Sequence, residues 1–103
     1  MVDHLSDVRQ YTSDVNELAV AAIVKHCGIA LRDADSALVA TSDPKEIATV
    51  RDGFATKKLG LSPEAADTGV KAAAAKMQKA ARKSRVTFYY LVAEATGSLN
   101  KLA

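Results

Sequence analysis

Residues 83–94 read KSRVTFYYLVAE, and the conformation of this stretch decides which fold the chain can adopt. Three of the five aromatic residues, Phe88, Tyr89 and Tyr90, stand side by side here, directly behind a basic segment. By propensity VTFYYLV suits a strand, because β-branched and aromatic side chains fit a pleated surface. A strand needs a partner for its backbone N–H and C=O groups, and no second convincing strand occurs in the chain. Ser84 in front and Gly97 behind instead frame a helix of ordinary length. On that helix Val86, Tyr89, Tyr90 and Ala93 lie on one side and Phe88, Leu91, Val92 and Ala95 on the other. Only Thr87 and Glu94 form a polar edge. A helix apolar nearly all round must be enclosed, either within its own bundle or between that bundle and a second subunit.

Working outward, helix signals recur. In TSDVNELAVAAIVKHCG, residues 12–28, Asp14 followed by Glu17 is a capping-box pattern and Gly28 offers a left-handed stop. Val15, Leu18, Ala19, Ala22, Ile23 and His26 share one face, widened by Val20, Val24 and Cys27, so this helix is expected to be the central one. The following IALRDADSALVATS lacks a clean period, and a brief helix is expected near Asp35 to Val39. Asp43, Pro44 and Glu46 open the next helix, with Ile47, Val50 and Phe54 on one stripe, Gly53 in its interior and Gly60 as its stop. Ser62, Pro63 and Glu64 repeat that start signal, and helix is expected from there to about Arg82, with Gly69 as a possible break. Val70, Ala73, Ala74, Met77, Ala80 and Ala81 form its apolar face.

At 103 residues the chain fits one domain, long enough to bury a core without disulfides or a metal. Residues 1–11 and 98–103 are expected to be flexible ends. Hydrophobic residues make up 49% of the chain, but 20 residues are alanine, so elements must approach closely to exclude water. The net charge of +2 hides a strong asymmetry: residues 1–67 carry 11 acids and 7 bases, and residues 68–103 carry 1 acid and 7 bases. Such a two-ended molecule can associate with itself, meet a charged partner, or pack one half on the other. The lone Cys27 excludes an internal disulfide and points to a reducing cytoplasm. The acidic start MVDHLSDVRQ has no apolar signal region, and the longest apolar run, Leu18 to Val24, is too short for a membrane span.

Chemistry-bearing motifs are sparse. His26 and Cys27 are neighbours, but adjacent helical positions point about 100° apart and cannot easily share a proton or a metal. A buried, hydrogen-bonded histidine and a small apolar cysteine account for them. Asp33 and Asp35 begin like a carboxylate metal loop, but the fifth position is Ala37 and the sixth Leu38, where an oxygen ligand and glycine would be needed. No phosphate-cradling glycine loop, nucleophile elbow or paired-histidine zinc motif is present. Nothing therefore marks an enzyme, and no cofactor or metal is implied.

The basic segment is the sharpest binding candidate. Lys71, Lys76, Lys79, Arg82, Lys83 and Arg85 supply six positive charges with no acid between Asp67 and Glu94. That density suffices for salt-dependent phosphate contacts. A lysine-covered outer face is also how an alanine-rich helix stays soluble. The helix lacks the large apolar side chains that would anchor it in a membrane surface.

Taken together, YTSDVNELAV, KHCGIALRDADSALVATSDP, KKLGLS and KSRVTFYYLVAE resemble a small bacterial family, numbered 2853 among the domains of unknown function, over about Tyr11 to Gly97. The resemblance implies a compact, mainly helical bacterial protein and no catalytic residue. The expectation is thus an all-α, compact bundle of four main helices with one or two short helical turns. Its expected role is a non-enzymatic cytoplasmic interaction module, a homodimer with Phe88, Tyr89, Tyr90 and Val92 at the interface, since rigid aromatic rings dominate interface cores. Nucleic-acid binding through residues 71–85 is the alternative, and an enzyme the third.

Overall fold

The aromatic stretch is helical. The computed structural model describes residues 8–12, 15–27, 44–78 and 84–99. Its helices are α1 (Glu17–Cys27), α2 (Pro44–Ala48) continuing into a π-helix (Thr49–Thr56), α3 (Pro63–Lys76) and α4 (Arg85–Ala95). With α2 and the π-helix taken as one rod, these are the four main helices of an all-α bundle, and no strand occurs among the described residues. The short helix expected near Asp35 to Val39, and the cap and stop residues Asp14, Gly28 and Asp43, lie outside the described residues.

The centre of the bundle is α4 rather than α1. Arg85 to Ala93 are nine consecutive buried residues, and α4 packs against α1, α3 and the π-helix. Thr87, expected on a polar edge, is fully buried with them. At the C-terminus Gly97 adopts φ 67°, the left-handed conformation that favours glycine. The Gly97 N–H donates to the Glu94 carbonyl at 3.1 Å and the Ser98 N–H to Ala93 at 2.7 Å, the paired bonds of a Schellman stop. Ser84 occupies the N-cap position, but its side chain makes no capping bond; its carbonyl accepts the Phe88 N–H at 2.9 Å.

By contrast α1 is one-sided. The stripe that turns inward is Ala19, Val20 and Ile23, and Leu18, expected inside, remains 69% exposed. Ala19 and Ile23 belong to the expected face and Val20 to the positions that widen it, so the buried stripe is rotated toward Val20 and Leu18 is left on the far side. Asn16 caps the helix: its Oδ1 accepts the Ala19 N–H at 3.1 Å. The Asn16 N–H donates to the Tyr90 hydroxyl at 2.8 Å, fastening the start of α1 to the central helix.

Two departures concern continuity. Gly69 does not break α3; it lies buried against α4, where a Cβ would stand 2.6 Å from Thr96 Cγ2 and 3.3 Å from the Val92 carbonyl oxygen. The helix ends at Lys76, with Met77 as its C-cap, short of the expected Arg82; Ala80 and Ala81 lie outside the described residues. The single α-helix expected after Pro44 instead widens at Thr49. Its buried residues Val50, Phe54 and Ala55 explain why. A π-turn closes one residue later than an α-turn, so positions four and five apart share a face. In an α-helix Ala55 would stand about 140° round from Val50. Gly60, φ 69°, ends the rod as expected.

The ends contribute to the core. Val8 is fully buried, Tyr11 packs against the core, Ser98 is 2% exposed and Leu99 packs beside it. These positions fall within the segments expected to be loose.

Candidate functional site

A row of polar and aromatic side chains crosses the bundle, built by four elements. Arg85, at the first residue of α4, has a side chain only 9% exposed. Its Nη2 donates to both carboxylate oxygens of Glu46 on α2, at 3.4 and 3.2 Å. Its Nη1 donates to the Tyr89 hydroxyl one turn along at 3.1 Å, and the guanidinium carbon lies 5.8 Å from the Tyr89 ring centroid. Burial opposes the Arg85 charge, but the bonds to Tyr89 and Glu46 outweigh it, and its pKa is raised above the ordinary value. Tyr89 in turn stacks on Phe54 of the π-helix, centroids 4.3 Å apart at 28°.

The row reaches the surface at His26 of α1. Its ring lies 5.4 Å from Phe54 and 6.2 Å from Tyr89. It is exposed rather than buried as expected, although it lies one turn beyond the buried Ile23, in the last turn of α1. Partial burial, and secondarily the Lys58 cation, hold the His26 pKa below the usual histidine value. The row joins α1, α2, the π-helix and α4, and its charges compensate one another. Among the described residues no group of three or more His, Cys, Asp or Glu could hold a metal ion.

Of the six cations proposed for phosphate contact, Lys71, Lys76 and Arg85 fall among the described residues, and each has a carboxylate partner. Lys71 meets Asp67 one turn earlier at 2.9 Å, and Lys76 meets Glu94 of α4 at 2.9 Å. Arg85 is withdrawn into the bundle. Lys79, Arg82 and Lys83 lie outside the described residues. The four residues proposed for a subunit interface are enclosed within one chain: Phe88, Tyr90 and Val92 are fully buried and Tyr89 is 5% exposed. In the sequence, Glu46 stands only as a helix opener and Phe54 only as a core residue. The spacing of Arg85 and Tyr89, four apart on one helix, was the signal available for the inner part of the row.

On the outward side of α1, Leu18 is the exposed large hydrophobic residue among those described. No helix among the described residues is long and apolar enough to cross a membrane. Fold and surface thus define a small all-α bundle organised around a buried aromatic helix. The chain belongs to the family described as Protein of unknown function (DUF2853), whose model matches residues 3–100. None of the curated proteins matches it.

Proposed function

We propose that the protein is a non-enzymatic helical interaction module that works as a homodimer in the bacterial cytoplasm. The observation that carries this reading is Leu18. On a helix otherwise anchored by Ala19, Val20 and Ile23, this leucine is 69% exposed, the exposed large hydrophobic residue among those described. Covering it would remove apolar surface from water. The charge division between residues 1–67 and 68–103 adds a second source of attraction between copies. Because the aromatic rings already serve the core, the surface shared by two copies lies elsewhere.

Nucleic-acid binding has less support, since Lys71, Lys76 and Arg85 each meet a carboxylate. Sedimentation velocity at tens of micromolar tests the main reading, with an expected mass twice the 10.9 kDa of the chain. A monomer at that concentration overturns it. Binding of a fluorescent oligonucleotide that persists at physiological salt, weakens as salt is raised further and is lost on reversing Lys71 and Lys76 would favour the alternative.

A further inference from the structure

One helix face is complementary to itself. At about 100° per residue the face of α1 opposite Ala19, Val20 and Ile23 carries Glu17, Leu18, Ala21 and Lys25, all exposed. Along the helix these run acid, apolar, small, base. Glu17 and Lys25 stand eight residues apart, about 12 Å along the axis at 1.5 Å per residue, and cannot meet within the helix. Neither takes part in an ion pair among the described residues, whereas Lys71, Lys76 and Arg85 do.

Resting on the homodimer reading, we propose that this face is the self-association surface and binds the same face of a second copy, antiparallel, about a two-fold axis at Ala21. In that register Glu17 of each copy opposes Lys25 of the other, and the contact is isologous, every interaction occurring twice. Ala21 lies on the axis, where its methyl group permits the closest helix approach. Leu18 then packs over Ala21 and along the aliphatic stem of Lys25 of the second copy. Positions 18, 21 and 25 follow the three-and-four spacing of interdigitating helix seams. A parallel arrangement would set like charges against each other, so the charge order selects the antiparallel one.

Glu17 and Lys25 also complement the dipole of their own helix, so the test must separate a role within one chain from a role between chains. Full-length variants serve. Reversing either charge alone, Glu17→Lys or Lys25→Glu, replaces two attractive contacts by two repulsive ones and weakens the dimer roughly tenfold. The double variant restores the opposed pairs and returns the dissociation constant to within about threefold of the original. A role confined to the helix dipole makes the double variant the worst of the three. In a Cys27→Ser background, Ala21→Cys forms a disulfide-linked dimer on mild oxidation much faster than Ala75→Cys on α3. If the wild-type dimer forms but ignores both charge reversals, and Ala21→Cys cross-links no faster than Ala75→Cys, this surface is wrong while self-association stands. If the wild type is monomeric, both fall.

Discussion

Glu46 and Arg85 are buried unequally, and that inequality predicts which of the two the fold can spare. The Glu46 side chain is 30% exposed and Arg85 9%. Removing the carboxylate by Glu46→Ala strands a guanidinium that water cannot reach well, and urea unfolding should show a loss of about 1–3 kcal/mol. Arg85→Met fills the same space with apolar atoms and leaves a carboxylate that can turn to water, so its cost should be the smaller one. The opposite ranking would mean that the Tyr89 bond, not the ion pair, dominates at this position. None of this was legible in the local sequence. A run of bases does not reveal which member is withdrawn into the core, because the acid that receives Arg85 lies 39 residues away in the chain. Likewise the apolar period of α1 does not tell that Leu18 and His26 stay exposed while Ala19 and Ile23 of the same expected face are buried with Val20, because the packing of the other helices sets the rotation of α1.

Among the elements, the helix starts and stops were legible where a local rule governs them. Ser62 caps α3 by accepting the Ala65 N–H at 3.2 Å, and Gly60 and Gly97 supply left-handed stops. Element interiors were less legible, because neighbours set them. Gly69 and Gly53 make the contrast measurable. At Gly69 an added Cβ would meet Thr96 Cγ2 and the Val92 backbone, and Thr96 cannot easily turn aside, since its hydroxyl bonds the Val92 carbonyl at 2.9 Å. Gly69→Ala should therefore destabilise by about 1–3 kcal/mol despite the better helix propensity of alanine. Adding Thr96→Ser, which deletes the clashing methyl group, should recover part of that loss. At Gly53 nothing lies within 4 Å of the added atom, and the same substitution should stabilise by about 0.5–1 kcal/mol. Thermal denaturation of the three variants checks these signs. Equal effects at the two glycines would show that propensity, not the approach of α3 to α4, decides. The π-helix is hidden in the sequence for a related reason: Ile47, Val50 and Phe54 fit an α-stripe, and it is the burial of Ala55 beside Val50 that the wider turn accommodates.

For the molecule as a whole, an apolar helix needs enclosure, and α4 is enclosed by this chain's own helices. Because α4 touches α1, the π-helix and α3, no one of these can leave without uncovering part of it, and α4 cannot be exposed fully unless all three depart. Local opening of the bundle is therefore expected at its outer helices, and exposure of the central one only through global unfolding. Native-state hydrogen exchange should accordingly find the slowest amides within Phe88 to Ala93. Their exchange free energies should match the stability obtained from urea unfolding and fall with urea at the full global slope. At concentrations low enough to keep the chain monomeric, the amides on the outer side of α1, around Ala21 and Lys25, should exchange at lower free energy with a weaker urea dependence. Destabilising the centre through Gly69→Ala should lower protection along α4 by the global amount. If α4 instead opened with a shallow urea dependence while α3 stayed protected, the central helix would be an independently yielding unit, and the bundle would have to be organised around α3.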